Sequence, residues 1–224
     1  MTASDREPFW FRTYDDITTW IAHPDEMIQR ASHLVPFGDE RYVVEPVDHP
    51  QLEEHLELAD VAGVVVLMDR HSRDSAEIAR RLDVPVYAPR TVSSVRQKLD
   101  IEVAPLEEVI DTSEVRLIDL YARRFWQEVA VWLPQTSTLI VPEAVGMAPY
   151  FIARGEDIGV HPLARLRPPR RALKFLQPDR LFVGHGRPRD DLEMGELDQT
   201  LAMARLNVPR AWLQALWSVI RQPF

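Results

Sequence analysis

Apolar and polar positions follow two rhythms along this chain. Residues 63–69 read GVVVLMD, a continuous β-branched apolar run closed by an acid, the pattern of a strand buried on both faces. The polar cluster DRHSRDS (69–75) follows. Ala76, Ile78, Ala79 and Leu82 then recur at helical spacing with charges between them, and VPVYAP (84–89) is strand-like again. The pattern predicts a strand–loop–helix–strand unit. It places Asp69, His71, Arg73 and Asp74 at the carboxyl end of a buried strand, where ligands sit in open α/β sheets.

Upstream, ITTWIA (17–22), ASHLVPF (31–37) and the run at 42–44 predict extended segments, separated by HPDE and by a turn at 38–40. Asp48 and Pro50 predict the cap and first turn of a helix reaching about Ala59, with Leu52, Leu56 and Ala59 on one face. Downstream, VRLIDL (115–120), EVAVWL (128–133) and TLIVP (138–142) predict successive strands. A turn at 134–137 joins the last two, and Glu143 ends the third. The basic segment 161–176 is partly helical in pattern. RLFVGHGRP (180–188) predicts a strand ending in Gly-His-Gly. Residues 193–221 predict two helices broken near 207–209, with an apolar stripe of Trp212, Leu213, Leu216, Trp217 and Ile220.

Composition narrows the function classes. The 224 residues contain 46% hydrophobic and 27% charged residues, enough apolar material for a core. The longest apolar run, residues 61–68, is too short to span a bilayer, and the first residues lack the basic and apolar regions of a signal peptide. There is no cysteine, which excludes disulfides, thiolate metal sites and cysteine nucleophiles and predicts a cytoplasmic protein. The net charge of −9 argues against general nucleic-acid affinity. Lys98 and Lys174 are the only lysines, so nearly every cation is a planar fork suited to carboxylates.

Three separated strand ends therefore carry donors for a divalent cation: residues 69–74, Glu143, and His185 between its two glycines. In this order the segments GVVVLMDRHSRDSAEIARRLDVPVYAP, RRFWQEVAVWLPQTSTLIVPEAVG and PDRLFVGHGRP resemble the metallo-β-lactamase superfamily over roughly residues 15–190. The resemblance implies a four-layered αββα sandwich over residues 1–190, with residues 191–224 as a helical extension of the same domain. It also implies a hydrolase-like chemistry of ester-like bonds. Laid on the HxHxDH motif of that superfamily, Asp69 stands at the first histidine, His71 is kept, Arg73 replaces the aspartate and Asp74 replaces the last histidine. A later histidine falls near Arg124, the bridging aspartate becomes Glu143, and His185 is kept.

Guanidinium groups cannot ligate a metal. One expectation is thus a degenerate, at most mononuclear site. Asp74, Glu143 and His185 would hold zinc, manganese or iron, His71 and Asp69 would serve catalysis, and the substrate would be small and anionic or ester-like. The alternative is a non-catalytic binding or structural protein on the same scaffold, with Arg73 and Arg124 in place of metals and no cofactor. Asp74 with Glu77 also fits an ordinary helix cap. The run Arg165, Arg167, Arg170, Arg171 and Lys174 reads first as a solvated helix face, and second as a surface for an anionic substrate or acidic partner. The tail stripe reads as packing on the body, with a homodimer contact as the alternative; no membrane or nucleic-acid partner is expected.

Overall fold

The computed structural model describes residues 9–56 and 58–213. The first half forms a seven-stranded sheet ordered β1 (Trp10–Tyr14), β2 (Ile17–Ile21), β3 (Ala31–Phe37), β4 (Glu40–Val44), β5 (Val61–Val65), β6 (Val86–Ala88) and β7 (Val103–Pro105). β1 to β4 pair antiparallel; β4 to β7 pair parallel. Helices α1 (Leu52–His55), α2 (Ser75–Leu82) and α3 (Val95–Lys98) lie in the connections of the parallel part, as parallel strands require crossovers.

The second half begins with an antiparallel hairpin, β8 (Arg116–Arg123) and β9 (Trp126–Leu133), and adds β10 (Thr138–Val141). A two-stranded ribbon, β11 (Val145–Gly146) and β12 (Gly159–Val160), follows. Then come α4 (Arg170–Leu173), β13 (Arg180–Val183) and α5 (Glu196–Met203). β13 pairs parallel with β10, giving a four-stranded sheet ordered β13-β10-β9-β8.

Three apolar clusters show how the layers stack. Period-two alternation sends successive side chains of a strand to opposite faces. In β5 and the residues after it, Val64 and Val66 join Leu52, Ile78, Ala79 and Val95 of the helices, while Val65 and Leu67 face Val131, Ile140 and Phe182 of the other sheet. In β13, Phe182 faces inward and Leu181 and Val183 pack with Leu173, Leu197 and Leu201 of α4 and α5. The clusters are helix–sheet, sheet–sheet and sheet–helix contacts, the α/β arrangement the sequence resemblance implies.

Several local expectations change. The helix expected from Asp48 to Ala59 is only α1, because Leu56 is already extended. The Asp48 carboxylate caps the His49 N–H and pairs with Arg81 instead of opening a longer helix. β1 has no counterpart in the sequence reading. Asp74 stands at the N-cap of α2 but makes no side-chain cap bond; its Oδ2 accepts the Asp48 N–H at 2.8 Å. Arg165, expected on a solvated basic face, is fully buried. Its fork grips Glu156 at 2.5 and 2.8 Å and the Val160 and Phe151 carbonyls, which compensates its desolvation. Leu216, Trp217 and Ile220 of the tail stripe lie outside the described residues. Trp212 is half-exposed and donates its indole N–H to the Pro162 carbonyl. Among the described residues no helix is long and apolar enough to cross a membrane.

His33 on β3 is a buried histidine without a charge partner. Its ring nitrogens meet Thr19 Oγ1 at 2.8 Å and the Val183 carbonyl at 3.1 Å, and burial pushes its pKa down to about 3. The unfolded chain protonates this histidine first as pH falls. Its neutral form therefore supports folding fully above pH 6.5. That support is lost at up to about 1.4 kcal/mol per pH unit below pH 6.5, toward its folded pKa. Urea unfolding of His33→Gln between pH 7 and 4.5 should show a shallower loss of stability than the parent; equal slopes would contradict this assignment.

Candidate metal centre

The polar side chains that meet in one place each follow the carboxyl end of a strand: Glu45 after β4, His71 after β5, Glu143 after β10, His161 after β12 and His185 after β13. His71, Glu143, His161 and His185 line a cavity of about 540 Å³ together with Arg30, Arg70, Arg73, Tyr150 and Phe151. Glu45 and Arg73 adopt positive φ, 53° and 41°, a local cost that the surrounding contacts must offset.

Sheet contacts deliver His185. The Gly184 carbonyl accepts the Ala31 N–H at 2.9 Å, Gly186 N–H donates to the Gln29 carbonyl, and Arg30 bridges to His185. A Cβ at Gly184 would lie 2.2 Å from the Pro142 carbonyl oxygen. At Gly186, φ is +96° and a Cβ would meet Ala148 N at 2.4 Å. Both glycines let two loops approach closer than any side chain permits. Gly186→Ala should lower the unfolding free energy by about 2–3 kcal/mol, from backbone strain plus the clash. Urea melts check this, and a loss under about 0.5 kcal/mol, the scale of a neutral surface change, would contradict it.

The second nitrogen of each histidine sets its tautomer. His185 Nδ1 lies 2.8 Å from the Ile28 carbonyl and must donate to it, leaving Nε2 with a free lone pair. Its ring stacks on Phe151. His71 Nδ1 donates to the Glu45 carboxylate, which also accepts the Leu67 N–H, so His71 Nε2 faces the cavity. His161 is the reverse. Its Nδ1 accepts the Leu163 N–H at 3.2 Å, so the neutral ring carries its proton on Nε2 and donates it to Glu143 Oε1 at 3.2 Å. Burial drives the His161 pKa to about 4, which keeps that ring neutral.

Electrostatics gather on Glu143. Burial alone would raise its pKa, but the hydrogen bond and charge of His71, then His161 and Arg70, hold it well below the usual carboxylate range. Burial, reinforced by the charges of His71 and Arg73, pushes His185 far down. Burial would lower His71 as well, yet Glu45 and Glu143 carry its net shift upward. Behind the cluster, Glu128 on β9 accepts the Glu143 and Ala144 N–H groups at 2.8 and 2.7 Å and the Trp126 indole at 2.6 Å. Its burial raises the pKa to about 7.

His71, Glu143 and His185 offer ligand atoms that all lie within 4.8 Å of one another. His71 Nε2 stands 3.2 Å from Glu143 Oε2 and 3.2 Å from His185 Nε2. Ligands about 2.0–2.1 Å from a tetrahedral ion are separated by roughly 3.3 Å, so this donor set fits one ion. Outer partners behind both imidazoles match what metal-binding histidines need.

The five residues expected to converge are thus three in place and two elsewhere. Asp74 is spent on the Asp48 amide. Asp69 is buried outside the cavity lining, its carbonyl accepting Lys98 Nζ and its Oδ1 lacking a hydrogen-bond partner among the described residues. Arg73 does reach the site. Its Nη1 donates to the Ala31 and Glu45 carbonyls at 2.6 and 2.7 Å, and its Nη2 to the Gly184 carbonyl at 2.9 Å and toward Glu45 Oε2 at 3.9 Å. Arg124 is exposed at the tip of the β8–β9 hairpin, because Arg123 pairs with Trp126 and leaves residues 124–125 as the turn. Arg70 stands nearer the cluster instead, 3.4 Å from Glu143 and over the Trp126 ring. Glu45, Arg70, Glu128 and His161 carried no sequence expectation. The available signal was an acid within or just after an apolar strand run, as in YVVE and EVAVWL.

Strand ends from two sheets thus bring together a His-Glu-His set that could hold a metal ion on an α/β scaffold. Solved structures say which one. The DIM-1 metallo-β-lactamase exposed to ceftazidime matches with a TM-score of 0.56 over 93% of this chain and 99% of its own, at 12% identity. The mono-zinc form of the FIM-1 metallo-β-lactamase from Pseudomonas aeruginosa matches with 0.56 over 90% and 96%, at 14% identity. A flavo di-iron protein variant from Thermotoga maritima reaches 0.60 over 88% of this chain and 61% of its own, at 11% identity. No protein-family model and no curated protein sequence matches the chain. The chain has the metallo-β-lactamase fold.

Proposed function

We propose that this chain is a divergent hydrolase-like protein with a single divalent ion, zinc, manganese or iron, held by His71, Glu143 and His185, acting on an ester-like bond of a small anionic substrate. The observation that carries this reading is the pair of 3.2 Å separations among three ligand atoms that outer partners turn toward one point, where an ion would take the place of the proton on His71 Nε2. Bound there, an ion would act as a Lewis acid and bring the pKa of a coordinated water to about 7. The chain's own residues do the rest. Glu45 and Ile28 keep the Nε2 atoms of His71 and His185 turned to the cavity. His161 fixes the free oxygen of Glu143. Arg70, braced by the Phe125 carbonyl and the Trp126 face, and Tyr150 form a polar rim that suits a negatively charged group.

Purification without chelator, followed by zinc or manganese titration, should give about one ion per chain, consistent with one three-ligand site. His185→Ala should lose the ion together with any hydrolysis of nitrophenyl esters or bis-nitrophenyl phosphate. The second reading, a non-catalytic scaffold, is favoured by Arg73, which ties Ala31, Glu45 and Gly184 together without an ion. It predicts no bound ion and no change of melting temperature with chelator, because a ligand held only by the native state must raise its stability.

A further inference from the structure

A second groove lies along β8, the last strand in the order of the four-stranded sheet. Its walls are the outer end of β8, the segment entering α4, and the turn after α5, and it encloses about 930 Å³. It shares no lining residue with the metal cavity. Arg123, Arg167, Arg171 and Arg205 converge on it from three separate stretches of chain. All four are exposed, and none has an ion-pair partner among the described residues. Other arginines of the same basic segment are neutralised: Arg165 by Glu156 and Arg170 by Asp198 at 2.8 Å. Asp119 is the one acid on the lining among the described residues. In a chain of net charge −9, four guanidinium groups facing one carboxylate are a local reversal of sign.

The groove is also built to hold its shape. The Tyr121 hydroxyl donates to the Arg167 carbonyl at 2.8 Å and joins the two walls, and Leu120 and Pro169 give it an apolar side. We propose that this groove binds a small organic anion of nucleotide size carrying two or more phosphate groups. Guanidinium forks match phosphate oxygens bidentately, and a single phosphate would leave part of the set unmatched. The volume lies within the range of small-molecule sites. The acidic remainder of the chain repels a long polyanion that extends beyond the groove, which favours a compact ligand over nucleic acid or an acidic peptide.

Calorimetric titration of the full chain tests this with ATP, pyrophosphate, inorganic phosphate and a short oligonucleotide as probes. One ATP should bind per chain, with affinity falling as salt rises. Arg171→Ala/Arg205→Ala should weaken it at least about tenfold, the loss of two charge-assisted contacts. A circular-dichroism melt confirms that this double variant folds, and Arg123→Gln/Arg167→Gln serves as the independent pair. His185→Ala should leave ATP binding unchanged, which separates this groove from the metal centre. The proposal is overturned by no ATP binding, by equal affinity in both arginine variants, by loss in His185→Ala, by phosphate binding as tightly as ATP, or by binding of the oligonucleotide alone.

Discussion

Arg73→Ala is expected to lower the unfolding free energy by about 3–5 kcal/mol, the cost of breaking a buried charge held by three backbone carbonyls. The guanidinium is buried and satisfies three backbone carbonyls at once, those of Ala31, Glu45 and Gly184. Those carbonyls belong to the start of β3, the end of β4 and the end of β13, in two different sheets. Truncation leaves all three acceptors without their donor, removes the cation facing Glu45, and opens a void. At about 2–4 °C per kcal/mol for a chain of this size, the melting temperature should fall by roughly 10 °C. Arg73→Lys should recover only part of the loss, since a point ammonium does not span the three carbonyls as the planar fork does. A calorimetric loss below about 1 kcal/mol in Arg73→Ala, the size of an average substitution, would show that the clamp is dispensable.

Zinc affinity should fall about 10–100-fold in Glu45→Gln, the range found when an outer partner of a metal-bound histidine is removed. Glu45 contacts no ion in this geometry. Its Oε2 accepts a hydrogen bond from His71 Nδ1 and its Oε1 accepts the Leu67 N–H. A glutamine can keep the Leu67 bond through its amide oxygen, so folding should be nearly preserved. What it withdraws is the negative charge that raises the basicity of the His71 Nε2 atom and pins the ring. Competition against a fluorescent chelator, with melting temperature measured in parallel, separates the two effects. Unchanged zinc affinity would remove Glu45 from the site, and a collapse in melting temperature would make its role one of folding.

Parts of this arrangement were legible because local pattern decides them. The continuous apolar run into Asp69 reads as a strand buried on both faces, and the alternating contacts of Val64, Val65, Val66 and Leu67 show that pattern in space. His185 was legible because a histidine between two glycines needs a special backbone, and the close approach of Gly186 to Ala148 supplies the reason. Asp74 and Asp69 were misplaced because motif spacing says nothing about which amide or cavity a short carboxylate reaches; Asp74 meets the Asp48 amide across 26 residues. Arg124 was misplaced by the two-residue tip of a hairpin, which local pattern locates only to within a few residues.

The basic segment shows the same division. Five cations in one stretch gave a charge pattern and nothing about which of them would be neutralised. Folding buries Arg165 on Glu156, pairs Arg170 with Asp198, and leaves Arg167 and Arg171 to meet Arg123 and Arg205 from elsewhere.

By itself the sequence determined the alternation of strands and helices, the absence of thiol chemistry, and the order of His71, Glu143 and His185 along the chain, because these depend on residue type and short-range spacing. Only the tertiary structure decided that Glu45, Arg70 and His161 stand around those three while Asp69, Asp74 and Arg124 do not. The physical reason is that a site of this kind is assembled from the ends of β4, β5, β10, β12 and β13, and its membership is set by sheet register and by which buried polar groups find partners across more than a hundred residues.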